Sequence, residues 1–157
     1  MGLFTFIKEA GEKLFGHKEA EQAVSPEEKT RLNQAAAQAI FDHINGLGLK
    51  WSNLMVSFMS GQVSISGSTP DQENREKIIL AAGNVQGVDN VEDHLTVEAP
   101  AAEARFYTVV SGDTLSKIAA EQYGNASKYP VIFEANKPML KDPNKIYPGQ
   151  NLRIPPL

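Results

Sequence analysis

The sequence has no cysteine among its 157 residues. That excludes disulfides, thiolate metal sites and cysteine nucleophiles, and it is compatible with a reducing compartment. A basic excess is missing too: 15 Lys and Arg against 19 Asp and Glu leave a net charge of −4. With a pI near 5.4 and no basic stripe, no nucleic-acid partner is expected. Long apolar runs are also absent. Lys8, Glu9, Glu12 and Lys13 interrupt the opening "MGLFTFIKEAGEKLFGHKEAE", so it does not read as a signal peptide, and nothing later could span a bilayer. A cytoplasmic location is the expectation. Gly2 stands where N-myristoylation would begin, but Phe6 occupies a position that this modification requires to be Ser or Thr.

Catalytic constellations are equally scarce. His17, His43 and His94 are far apart and show no ligand spacing at i, i+3 or i, i+4. No histidine falls near Ser111 and Ser116 to act as a base, and the acidic residues do not form acid–base pairs. "DNVED" is the nearest approach to a calcium loop, but a strand would send its alternate side chains to opposite faces. The chain is not expected to be an enzyme.

What is present is ordinary globular material, with 41% hydrophobic and 22% charged residues, enough for one medium domain or two small ones. Leu3, Ile7, Ala10 and Leu14 recur at helical spacing with Phe6 and Phe15 beside them, predicting a short amphipathic helix weakened at Gly11. "SPEEKTRLNQAAAQAIFDHINGLG" opens with Ser25 as N-cap, Pro26 at the first helical position and Glu28 closing a capping box. Leu32, Ala35, Ala36, Ala39, Ile40 and Ile44 form its apolar stripe. Leu54, Val56 and Phe58, a turn at Ser60–Gly61, then Val63 and Ile65 predict a hairpin with one apolar face. A second helix is expected to start at a Thr69 cap, with Pro70 and Gln72 following, and to end at Gly83. A strand through Val91, Leu95 and Val97 completes an αββαβ unit.

"EAPAAEARF" reads as a linker. Beyond it come a strand, a helix capped by Asp113, a second helix with Pro130 in its first turn, and a strand "NLRI" after a Pro148–Gly149 turn, a βααβ order. The fold class is therefore α+β: two small domains preceded by a short amphipathic helix. The expected divisions are 1–24 for that helix and its spacer, 25–98, 99–105 for the linker, and 106–157.

Two passages carry a resemblance. "GQVSISGSTPDQENREKIILAAGNVQGVDNVEDHL", with its G-x-V-x-[LIV]-x-G hairpin and Val85, Gly87, Val88 and Val91 after the helix, is similar to a BON domain. "YTVVSGDTLSKIAAEQYGN", "IFEANKPML" and "IYPGQNLRIP" are similar to a LysM domain. Together with the opening "MGLFTFIKEAGEKLFG", the chain resembles the small cytoplasmic bacterial potassium-binding proteins built as BON plus LysM.

The resemblance implies K+ as the bound ion, held by the backbone oxygens of Gly83, Val85 and Val88 facing those of Ile7, Ala10 and Glu12. The residues themselves allow two readings of this stretch. Gly83 and Gly87 can be an ordinary helix C-cap and turn. They can also present helix-end carbonyls, which carry the negative end of the macrodipole, to a large and weakly hydrated cation. The implied function is a potassium-selective cytoplasmic sensor or buffer that compacts on binding, as a monomer. Lys8 and Lys13 are balanced by Glu9 and Glu12, so the opening segment is expected to seal against the BON unit rather than form a stable membrane association. The alternative is a peptidoglycan-binding protein of the cell envelope. On that reading the LysM resemblance marks Ser111, Gly112, Asp113, Thr114, Leu115, Asn136 and Pro138 as a glycan groove.

Overall fold

The Ser25 hydroxyl accepts a hydrogen bond from the Glu28 amide at 3.0 Å, so the expected cap starts helix α1 (Pro26–Gly46). The structure is a computed structural model that describes residues 2–16 and 25–157; His17 and the rest of the spacer lie outside them. Ala36, Ile40 and Ile44 form the buried stripe of α1, while Ala35 faces solvent.

The predicted hairpin forms as β2 (Ser52–Met59) and β3 (Gln62–Asp71). Its turn places Ser60 at φ 48° and Gly61 at φ 86°, the left-handed pair that suits the right-handed twist of a two-residue hairpin. Helix α2 (Gln72–Gly83) crosses over to β4 (Asn90–Ala99), which runs parallel to β3. With Gly2–Thr5 as β1, the sheet order is β1-β4-β3-β2. The core between its covered face and the helices includes Ile40, Ile44, Phe58, Val63, Ile65, Ile78, Ile79 and Val91.

The start of α2 differs from expectation. Thr69 belongs to β3, paired with Val97 and buried. Its hydroxyl donates to the carbonyls of Asp71 and Thr96. Asp71, the last residue of β3, caps the helix instead, and its carboxylate accepts from the Asn74 amide at 2.8 Å.

The amino-terminal segment departs most. Among the described residues 2–16 there is no helix. Gly2–Thr5 form strand β1, antiparallel to β4, and the chain then turns irregularly. Two physical facts override the helical spacing. The exposed edge of β4 offers unpaired backbone groups that a strand satisfies. Gly11 adopts φ +105°, which no right-handed helix contains. The expected seal forms only in part: Phe6 is 5% exposed, whereas Leu3 and Ile7 remain 65% and 50% exposed.

In the carboxy-terminal unit, β5 (Arg105–Thr108) pairs antiparallel with β6 (Asn151–Ile154), and α3 (Leu115–Tyr123) and α4 (Tyr129–Ala135) pack over them. A 3-10 turn, Ala126–Lys128, precedes α4, and Pro130 sits in its first turn as expected. Thr114 caps α3 in place of Asp113, accepting from Lys117 N–H at 3.1 Å. Asp113 is occupied elsewhere: its carboxylate accepts from the Tyr107 hydroxyl at 2.6 Å and from Val110 N–H at 2.9 Å.

The two units share a buried ion pair. Glu76 on α2 and Arg153 on β6 are 3% and 7% exposed, with Nε to Oε1 at 2.9 Å. Gln72 and the Ala104 amide donate to the other Glu76 oxygen, and Arg153 also donates to the Ala135 carbonyl. The acceptor and donor capacity of both charges is largely used, which is the condition for tolerating such a pair in low dielectric.

Candidate functional site

Two segments far apart in sequence run side by side beyond the end of α2. Glu12 N–H donates to the Asn84 carbonyl at 2.9 Å, Gln86 N–H to the Glu12 carbonyl at 2.9 Å, and Gly87 N–H to the Lys8 carbonyl at 2.6 Å. These bonds make Glu12 and Val85 partners in an isolated parallel bridge. The six residues of the carbonyl assignment, Ile7, Ala10, Glu12, Gly83, Val85 and Val88, therefore lie on two strips of backbone locked against each other.

Two glycines make the approach possible. A Cβ on Gly11 would lie 2.3–2.6 Å from the main chain of Asn84 and Val85. A Cβ on Gly83 would lie 2.1–2.3 Å from the ring atoms of Phe6. Gly83 is thus not the C-cap its sequence context suggests: it is the last residue of α2, and Asn84 caps the helix. Its missing side chain makes room for Phe6, whose burial anchors the amino-terminal segment.

The six carbonyls differ in state. Those of Ile7, Glu12 and Val85 accept amide hydrogen bonds from Ala10, Gln86 and Val88. Among the described residues, those of Ala10, Gly83 and Val88 accept none. Peptide planarity fixes where two of them aim. Asn84 N–H points back to the Leu80 carbonyl, so the Gly83 carbonyl, trans to it, points onward past the helix end. Asp89 N–H points to the Gly61 carbonyl, so the Val88 carbonyl points the opposite way. Carbonyls without partners beside a helix C-terminus are the donor set a weakly hydrated monovalent cation takes. Among the described residues no cluster of three or more His, Cys, Asp or Glu could hold a metal ion.

A cleft of about 400 Å³ lies beside these strips, lined by Glu12, Asn84, His43, Tyr147, Lys141 and Met139 among others. Burial holds His43 below its ordinary range, with Lys141 adding to the effect and Glu12 opposing it. Tyr147 is pushed up to about 12 by burial and by the Glu12 carboxylate. Both rings are therefore held neutral at physiological pH.

The glycan-groove residues are scattered in their roles. Leu115 is in the core of the carboxy-terminal unit. The Asn136 side chain is buried and spent, donating to the carbonyls of Ile132 and Arg153 and accepting from Arg153 N–H at 2.7 Å. Asp113 and Thr114 serve their own loop as described, while Ser111 and Gly112 are exposed on it and Pro138 is half-buried. Phe6, Asn84 and Asn151, which organise the carbonyl strips, carry no signal of that role in the sequence, because each acts through a partner dozens of residues away.

Residues 33–99 match the BON domain and residues 107–155 the LysM domain. Over 156 residues, 99% of each chain, the sequence is 44% identical to the potassium binding protein Kbp of Escherichia coli O6:H1 (strain CFT073). An uncharacterized protein of Deinococcus radiodurans is 35% identical over 132 residues, which are 76% of this chain and 51% of that protein. An esterase of Mycobacterium tuberculosis (strain H37Rv) is 54% identical over 48 residues, 31% of this chain and 10% of the esterase. So short a likeness carries nothing of the esterase's activity.

Proposed function

The chain belongs to the family that joins a BON domain to a LysM domain and includes a potassium binding protein, and from that premise we propose that it binds potassium selectively and serves as a cytoplasmic potassium sensor or buffer. The ion is held by main-chain oxygens of Ile7, Ala10, Glu12, Gly83, Val85 and Val88. The observation that carries this reading is the meeting of segments 7–12 and 83–88 with the carbonyls of Ala10, Gly83 and Val88 left without a donor among the described residues.

Compaction follows from where those oxygens reside. Three belong to the amino-terminal segment and three to the end of α2 and the loop after it, so an ion coordinated by both ties the segments together. A ligand favours the conformation it binds better, and here that conformation is the closed one. The LysM turn at Gly149 lies against Ala10 and Ile7, so closure also engages the carboxy-terminal unit.

Thermal melting in KCl and in NaCl at equal ionic strength tests the reading. Binding to the folded state raises the midpoint with the logarithm of ligand excess over Kd. A midpoint raised by potassium and not by sodium supports it; identical curves at saturating salt refute it. The LysM match and the exposed Ser111–Gly112 loop favour one second reading, glycan binding, and cosedimentation with purified sacculi separates the two.

A further inference from the structure

Asn84 lies between two of the assigned carbonyl donors, Gly83 and Val85, yet its side chain is spent on the LysM unit. Its Nδ2 donates to the Asn151 carbonyl at 2.9 Å, and its Oδ1 accepts from Asn151 N–H at 2.9 Å. Its backbone is equally committed. The N–H donates to the Leu80 carbonyl, and the carbonyl accepts from Glu12 N–H, both at 2.9 Å. One residue thus ties together α2, the amino-terminal segment and β6. Asn151 is itself held: its side chain accepts from the Thr108 hydroxyl and donates to the Thr5 carbonyl at 3.3 Å.

We infer that Asn84 is the positioning residue for ion selectivity, through which strand β6 of the LysM unit fixes the spacing of the Gly83 and Val85 carbonyls. This rests on the potassium reading above and assigns the residue that makes the cage discriminate. One way neutral carbonyls reject the smaller sodium ion is by being kept from closing around it. The loop from Gly83 to Gly87 has glycine at both ends, with Gly87 at φ +98°, and such backbone contracts readily unless it is held. Glu12 holds the loop from one side. The reciprocal amide pair with Asn151 holds it from the other, and it is the only one of the two that comes from outside the ion-binding strips. The Asn84 side chain is not a ligand in this arrangement, since both its polar atoms are occupied by Asn151. An interface contact that merely glued the units together would change stability in both salts alike. A positioning contact changes the ratio between them.

The experiment compares potassium and sodium affinities of the full chain by calorimetric titration at constant ionic strength, for the wild type, Asn84→Ala, Arg153→Met and the double variant. Loss of a residue that orients ligands costs about 10–100-fold in metal affinity, so the potassium-to-sodium preference of Asn84→Ala falls on the order of tenfold. Arg153→Met, which loosens β6 while keeping Asn84, lowers the same ratio, and the double variant falls no further than Asn84→Ala, because one chain of contacts is being cut twice. An unchanged ratio in Asn84→Ala overturns the inference. If that variant does not fold, an unchanged ratio in Arg153→Met overturns it instead. A wild type without potassium preference overturns the reading beneath it, an outcome distinct from either.

Discussion

The Phe6 ring fills the space where a side chain on residue 83 would begin: its nearest atom is 2.1 Å from the position of a Cβ on Gly83. One residue's missing methyl is thereby the seat of another residue's aromatic ring, and the seat joins the amino-terminal segment to the end of α2. Gly83→Ala therefore expels Phe6. The variant loses burial of an aromatic side chain, about 3 kcal/mol at most if the segment detaches, and the potassium-dependent rise in melting midpoint falls with it. Gly83→Ala combined with Phe6→Ala costs no more than the worse single change, since both act on one contact. Melting curves of the three variants in KCl and NaCl check this; additive losses would refute the coupling.

Arg153→Met should destabilise the chain by about 3–5 kcal/mol, because it strands the Glu76 carboxylate in a buried site. Glu76→Gln together with Arg153→Met should recover a large part of that loss, since neither charge is then left alone. The single variant should also uncouple the two units. Trp51, packed edge-on against Phe41 at 5.6 Å in the BON unit, reports that unit by fluorescence, while circular dichroism reports both. In urea the two probes should coincide for the wild type and separate for Arg153→Met.

His43 sets an acid-side dependence. Burial depresses its pKa in the fold below the ordinary 6.5, with Lys141 in the same direction and Glu12 against it. A depressed pKa means that the unfolded chain takes up the proton first. The histidine's contribution is therefore complete above 6.5 and is lost as pH falls through its lower folded value. Urea midpoints measured from about pH 8 to about pH 5 should decline in the wild type and decline less in His43→Gln. Equal slopes would show that His43 is not responsible.

Much of this architecture is legible because it rests on local pattern. Leu54, Val56, Phe58, Val63 and Ile65 alternate about a Ser60–Gly61 turn, and no other structure buries that set on one face. Ser25, Pro26 and Glu28 announce α1 within four residues. The opening segment is ambiguous by the same logic: Phe4 and Phe6 fit a strand, whereas Leu3, Ile7, Ala10 and Leu14 fit a helix. What decides is the free edge of β4, 91 residues away by register from Gly2 to Asp93, and local periodicity contains no information about it. Thr69 and Asp113 are natural caps by spacing; Thr69 loses that role because it is paired within β3, and Asp113 because Tyr107 and Val110 claim its carboxylate. The candidate ion site is harder still. Every residue has a carbonyl, so its two segments could be named only through family resemblance, and Asn84 and Asn151, 67 positions apart, meet only once both units are folded.

Alkaline pH should weaken the protein through its tyrosines. Tyr147 is pushed up to about 12 by burial and then by the Glu12 carboxylate. Tyr107 reaches about 12 chiefly because its hydroxyl donates to Asp113, with burial second. Burial also raises Tyr123, whose hydroxyl donates to the Pro155 carbonyl. Each phenol keeps its proton in the fold after the unfolded chain, titrating at 10.0, has begun to release it. Raised folded values mean stability that is complete below pH 10 and is lost as pH climbs toward 12. Tyr107→Phe distinguishes the hydrogen bond from burial. At neutral pH it loses a bond to a charged acceptor, a cost of about 1.5–3 kcal/mol when the site excludes water and less at this partly exposed one. In alkali it should lose part of the downward slope, because one of the late-titrating protons is gone. Urea midpoints at about pH 9 and about pH 11, bracketing the ordinary tyrosine value, measure both effects in one series. A Tyr107→Phe slope as steep as that of the wild type would mean that Asp113 does not hold this proton in the fold.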